Sequence, residues 1–369
     1  MKYIKLKEVC MINMGQSPDS SSYNEKKEGI PFYQGNADFG EKYPITRVWC
    51  NTPIKIAQSG DILISVRAPI GALNYAKEEC CIGRGLAAIT PDKEKMSLEF
   101  VYWFLKGKNL ELNRKGTGST FKAISRKVLE EIMIPDINLK KQCEYANVLE
   151  KIHAAIQMRK QELKHLDFLL KARFVEMFGD PVANEMGWDT LPLENACKAI
   201  VDCPHSTPSY TKEDTGFRCI RTSIVKKNRI LWDEIEYIPE DEYVKRIQRK
   251  KPDVGDIVYT REGAILGIAA IIDRNCNVAL GQRSMLLSPN IDKCASEFLC
   301  VAMNSDSFLD NALKGVSGSA SPHINVGDIK AFRMIMPPIE LQNQFVDFVH
   351  QVDKSKVAVQ KALDETQIL

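Results

Sequence analysis

The chain has 369 residues, 44% hydrophobic and 27% charged, which suits two ordinary domains and excludes wholesale disorder. Fifty Lys and Arg against 48 Asp and Glu leave a formal charge of +2, so only local clustering of charge points to a polyanionic partner. No apolar run reaches the roughly 18 residues of a membrane helix, and the mixed N-terminus MKYIKLKEVC does not read as a signal peptide. Eleven cysteines, none in a CxxC pair, then read as reduced, mostly buried thiols, with a cytoplasmic location and no membrane contact expected.

Along the chain, segments recur. Leu6–Cys10 returns as Leu193–Cys197, and the apolar runs after Gly29 and Gly216 share the same offset of 187. Gly60-Asp61-Ile62-Leu63 returns as Gly255-Asp256-Ile257-Val258, Gly118-Ser119 as Gly318-Ser319, and Ile124 as Ile324. Ile132–Pro135 matches Met334–Pro337, which places Leu139 and Gln142 opposite Leu341 and Gln344. The offset only grows, as small loop insertions would make it, so the chain reads as two copies of one unit of about 200 residues.

Each copy predicts short strands, such as 61–66 and 256–260, punctuated by Gly, Pro and Asn. A short helix follows (98–106 and 296–304), then a polar Gly/Ser stretch (115–121 and 315–323), then an apolar strand ending in proline. Beyond the first of these prolines, Leu149, Ile152, Ile156, Arg159, Leu163, Leu166, Leu170 and Arg173 fall at heptad spacing. That predicts a helix over 138–178, ended by Gly179-Asp180-Pro181. A helix so long needs a cover for its stripe, and Phe345, Phe348, Val352, Ser355, Val359 and Ala362 of the second copy supply one; the alternative is two helices packed separately.

Catalytic motifs are not found. There is no GxxxxGK[ST], no DPPY or NPPY, no GxSxG and no HExxH, and Pro91–Lys95 reads as a solvated turn. Basic residues do cluster: Arg218, Arg221, Lys226, Lys227 and Arg229, then Lys245–Lys251, and in the first copy Lys106–Lys127. One such run is ordinarily a solvated face. Paired copies, each with a Gly/Ser stretch whose N–H groups and hydroxyls suit phosphate, favour nucleic acid.

Gly60–Arg67 and its echo Gly255–Arg261 resemble the GDI-hydrophobic-x-[ST]-x-R segment of specificity subunits of type I restriction–modification systems. Ile70-Gly71, Leu266-Gly267, the Phe174–Pro181 segment (FVEMFGDP) and the strand-ending prolines followed by Leu-x-x-Gln fit the same family over essentially the whole chain. Two features depart from its pattern: Ala68-Pro69 stands where many members have glycine, and the final helix reaches Leu369 without a second aromatic-rich end.

The resemblance implies an α+β protein: target-recognition domains at 1–137 and 181–337, a central conserved helix at 138–180, and a C-terminal conserved helix at 338–369 that pairs with it in coiled-coil fashion. It implies a non-catalytic subunit whose domains each read half of a bipartite site in double-stranded DNA. The helices would set the spacing and dock two methyltransferase subunits, which restriction subunits join. S-adenosylmethionine, ATP and magnesium would sit on those partners, with no cofactor or metal on this chain.

Three groups per copy are the candidate DNA contacts: Gln34 and Asn36, or Arg221 and Thr222; Arg67, or Arg261; and Ser119, Thr120 and Lys122, or Ser319, Ser321 and His323. Arg84, Gln282 and Arg283, behind the shared Gly83 and Gly281, join them, as do Arg218, Lys226 and Lys227. Arg and Gln pair two-pronged with guanine and adenine edges. Two rival readings stay open: a fragment of a fused restriction–methylation enzyme, and a helical scaffold that binds no DNA.

Overall fold

The computed structural model describes residues 2–118, 122–314, 316 and 322–368. Contacts divide the chain into two units, Met1–Ile156 and Gln157–Leu369, with the division inside one unbroken helix, Leu139–Phe178.

In the first unit, Cys10–Met14, Leu86–Pro91, Ile62–Ser65 and Leu73–Tyr75 form an antiparallel sheet in that spatial order. In the second, Cys197–Asp202, Ser284–Pro289, Ile257–Thr260 and Ala269–Ile271 repeat the order. The central strands are apolar at consecutive positions because both faces of the sheet are covered. Ile62 and Ile64 pack with Val101 and Leu105 of helix Leu98–Gly107, whereas Leu63 packs with Tyr33 and Ile82 of a second sheet. Ile257 and Tyr259 likewise join Phe298 and Leu299 of helix Ser296–Met303, and Val258 joins Ile220 and Leu280.

The second sheet carries the one parallel pairing of each unit among the described residues. Ile30–Tyr33 runs beside Cys80–Ile82, with Phe32 opposite Cys81 and Tyr33 opposite Ile82. Arg218–Ile220 runs beside Val278–Leu280, with Cys219 opposite Ala279 and Ile220 opposite Leu280. Both strands of each pair therefore exit at the same end of the sheet.

The Gly-Asp motif is a turn device. Gly60 and Gly255 take φ of +90° and +89°, which glycine adopts without steric cost. Asp61 accepts from the Gln58 N–H at 2.8 Å and the Thr90 hydroxyl at 2.6 Å, and Asp256 accepts from the Asp253 N–H at 2.9 Å and Lys250 Nζ at 2.7 Å. The strand-ending hydroxyl closes the next loop. Ser65 Oγ accepts from Ala72 N at 3.0 Å, and Thr260 Oγ1 accepts from Ile268 N at 2.9 Å.

The end of each unit corrects the alignment read from the prolines. Tyr3–Lys5 pairs with Met133–Pro135, and Thr190–Pro192 with Arg333–Ile335, so Pro135 corresponds to Ile335 rather than Pro337. The next helix follows suit. Gln142 is fully buried, accepts from Ser97 N at 2.8 Å and donates to the carbonyls of Lys95 and Ile137. Gln342, also fully buried, accepts from Ala295 N at 2.9 Å and donates to those of Lys293 and Pro337. Gln344, the residue matched from the sequence, is exposed.

Within the second unit the final helix, Ile339–Ile368, lies antiparallel against the end of the central helix. Phe174 and Phe178 meet Phe345 and Phe298 with ring centroids 4.9–5.6 Å apart. Lys356 pairs with Asp167 at 2.7 Å, and Arg159 donates to the Ala362 carbonyl at 2.9 Å and to the Thr366 hydroxyl. The stripe on the final helix is not quite the expected one: Val349 and Leu363 are buried and Ser355 is exposed. On the central helix, Leu149 is exposed. The arginine within the apolar seam is explained by the partner-helix oxygens it satisfies. Gly179, at φ +73°, ends the central helix after Phe178.

Candidate nucleic-acid interface

The fold brings the separate candidate loops together at one edge of each unit. In the first, the loop after the parallel strand Ile30–Tyr33 and the loop after Cys80–Ile82 are joined by Gly83 N to Tyr33 O (2.8 Å) and Gly85 N to Gln34 O (3.0 Å). Val66 N donates to Gly85 O at 2.9 Å, which adds the loop after the Gly-Asp strand. Ile124 N donates to Val66 O at 2.9 Å and Ala68 N to Lys122 O at 3.1 Å, which adds the margin of the Gly/Ser stretch. The second unit repeats the chain of bonds: Gly281 N to Ile220 O (2.9 Å), Arg261 N to Arg283 O (3.0 Å), and Ile324 N to Arg261 O (2.9 Å).

Gln34, Arg67, Arg84 and Lys122 are exposed along the first edge, with Asn36 half-buried in the turn Asn36–Asp38. The Asp38 carboxylate accepts from Gln34 N at 2.7 Å and fixes that turn. Arg67, Arg84 and Lys122 have no ion-pair partner among the described residues, so their charge faces outward. Ser119, Thr120, Ser319 and Ser321 lie outside the described residues.

In the second unit Arg221 is held by Glu236 at 2.5 Å and lies 4.8 Å over the Tyr210 ring. Thr222 opens the turn Thr222–Ile224 behind it. Gln282 is half-buried, and its Oε1 is enclosed with no hydrogen-bond partner among the described residues. Arg283 is exposed, at φ +72°, with Glu262 3.9 Å away. His323 bridges to Glu262 through the backbone, as Ala123 does to Arg67.

That last pairing overturns one expectation. Arg67 corresponds to Glu262, and Arg261 takes the place of Val66. Arg261 is buried, with Nε and a terminal nitrogen 2.9 and 3.1 Å from the two Asp202 oxygens, so its guanidinium serves the fold and not the outer edge. The sequence comparison slid by one because the Gly-Asp motif reaches its arginine one residue sooner in the second copy.

Other basic residues are also engaged internally. Arg246, buried, donates to the carbonyls of Leu280 and Ser206 and pairs with Glu242 at 2.7 Å. Lys250 pairs with Asp256, and Lys227 with Asp306 at 2.9 Å. Lys226 donates to Ser223 O, and Arg218 sits 5.5 Å over the Tyr237 ring. In the first unit Lys108 and Lys115 both grip Glu111 and hold its carboxyl down at about 2. The basic runs are thus less available than their sequence suggests. Asp202, Glu236 and Tyr210, which orient arginines here, escaped sequence reasoning because their partners are distant in the chain. Among the described residues no group of three or more His, Cys, Asp and Glu is placed to hold a metal, and no helix is long and apolar enough to cross a membrane.

Fold and edge together define a duplicated α+β protein, in which each copy presents cationic and amide side chains from converging loops. The chain belongs to the type I restriction modification DNA specificity domain family, whose sequence profile it matches over residues 1–167 and again over 187–366. It is 45% identical over 156 residues to the protein named as the MjaX type I restriction enzyme specificity subunit of Methanocaldococcus jannaschii, a match covering 42% of this chain and 37% of that relative. The EcoBI specificity subunit of Escherichia coli is 20% identical over 98% of this chain and 81% of its own. The crystal structure of the type I restriction–modification S subunit from M. genitalium superposes with a TM-score of 0.58 at 14% identity, over 100% of this chain and 93% of that one, and supports the α+β fold.

Proposed function

We propose that this chain is the sequence-specific DNA-recognition subunit of a type I restriction–modification complex. Each unit reads one half of a bipartite duplex site, and the paired helices set the gap and dock two methyltransferase subunits, which restriction subunits join. Methyl transfer and ATP-driven cleavage then belong to the partners, with S-adenosylmethionine, ATP and magnesium bound there and this chain acting without catalysis of its own, in the cytoplasm. The observation that carries the reading is the duplication of the converging loop edge, which a protein-only scaffold would not need.

Phosphate neutralisation releases counterions, so affinity for duplex DNA should fall with salt by about 0.9 log units per log unit for each contact. In the complex of the full chain with its methyltransferase partners, Arg67→Ala, Arg84→Ala and Lys122→Ala are each expected to weaken binding. A variant at a phosphate contact flattens the slope by about one. Lys227→Ala, by contrast, should leave the slope as it was, because Asp306 already neutralises that ammonium. Binding without salt dependence, or none at all, would favour the scaffold.

A further inference from the structure

The two units carry the same pair of side-chain types, one glutamine and one arginine, in exchanged positions. Beyond the parallel strand pair, the first unit has Gln34 on one strand end and Arg84 on the other. At the corresponding places the second unit has Arg221 and Gln282. The correspondence rests on hydrogen bonding and not on the alignment alone, since Gly83 bonds Tyr33 O as Gly281 bonds Ile220 O.

Both glycines hold the two loops in close contact. A Cβ at Gly83 would lie 3.0 Å from Gln34 Cα, and one at Gly281 would lie 2.7 Å from the Tyr210 hydroxyl and 3.1 Å from Ile220 O. The four residues thus follow the ends of neighbouring parallel strands, Gln34 and Arg221 beside the two glycines and Arg84 and Gln282 one residue further along. Neighbouring strands lie about 4.8 Å apart and successive base pairs about 3.4 Å, so side chains from these two ends are within reach of adjoining steps of one groove.

Resting on the DNA-recognition reading, we propose that these four residues select adjoining purines, Gln34 and Gln282 an adenine and Arg84 and Arg221 a guanine. In the frame of each unit the adenine and guanine then come in opposite order. Arg presents a fork to guanine O6 and N7, and Gln an acceptor–donor pair to adenine N6 and N7. Glu236 and the Tyr210 ring orient Arg221 for this task and leave the rest of its fork available.

The test is selection from a randomised duplex library by the full chain in complex with its methyltransferase partners. Gln34→Arg combined with Arg84→Gln should exchange A and G at two adjoining positions of one half-site and leave the other half unchanged. Because that double variant could fail to fold, Gln34→Ala and Arg84→Ala are selected beside it, with thermal melting as the folding control. Each should lose discrimination at a single position by about tenfold or more. A selective parent whose folded alanine variants keep full selectivity at every position would overturn this assignment alone. A parent with no sequence preference would overturn the recognition reading beneath it.

Discussion

Gln142 and Gln342 illustrate how a single polar side chain fastens a long helix to a domain. Each accepts one and donates two hydrogen bonds in a fully buried site, so all three backbone groups depend on it. Truncation strands those groups without water. Gln342→Ala is expected to lower stability by about 2–4 kcal/mol, whereas Gln344→Ala, on the exposed face, should change it by less than about 0.5 kcal/mol. Thermal or urea melting distinguishes them, and equal effects would restore the alignment through the prolines. Arg261 poses a similar choice between fold and ligand. Removing it leaves the half-buried Asp202 with His205 as its remaining partner, so Arg261→Ala should cost about 1–3 kcal/mol, while the exposed Arg67→Ala should cost almost nothing in stability and act on DNA binding.

At the scale of elements, the antiparallel helix pair is built from aromatic packing at one end and polar bonds along its length. Phe174, Phe178 and Phe345 sit in the core, while Arg159 and Asp167 reach the partner helix through hydrogen bonds. The observed pairing also says where the helices tolerate lengthening. Asp167 faces Lys356 in this antiparallel pair, so matched four-residue insertions belong just after Asp167 and just before Lys356. Four residues add about 6 Å and overshoot one turn by only about 40°, which keeps the stripes nearly in phase. If the helices set the spacing, such a variant should recognise the same half-sequences with a gap one or two base pairs wider. Long-read mapping of methylated bases in cells would read it out, and an unchanged gap in an active variant would remove the spacing role.

For the molecule as a whole, duplication predicts modularity. Replacing residues 1–137 by the matching segment of a relative should alter one half of the recognised site and leave the other as it was. Changes in both halves would contradict independent reading. Both units also bury most of their thiols, as the composition suggested. Burial pushes the Cys10, Cys80, Cys197 and Cys219 thiols up to about 12, against 9.0 for a free thiol. Their protonated forms are therefore favoured in the folded chain. Below about pH 9 both states are protonated and nothing is lost; between pH 9 and 12 the unfolded chain ionises first, and stability falls. A melting temperature that rises over that interval would refute the burial. At neutral pH a thiol reagent should modify exposed Cys143 quickly and the buried cysteines only upon unfolding.

The duplication, the α+β character and the long helices were written in local pattern: Gly-Asp turns, apolar runs of strand length and a heptad stripe constrain the backbone wherever they occur. Local pattern also marked which loops to watch, because a side chain just past a strand end is exposed by default. Three things were decided only by the tertiary structure. The convergence of the candidate loops depends on a parallel strand pairing between segments about 50 residues apart, which no short-range signal announces. Gln342, rather than Gln344, holds the final helix because sheet pairing sets the register there, and two neighbouring glutamines look alike in sequence. And whether an arginine faces a ligand or the fold rests on a carboxylate brought from elsewhere: Asp202 claims Arg261 from 59 residues away, while Arg67 meets no acid among the described residues and is left to face outward.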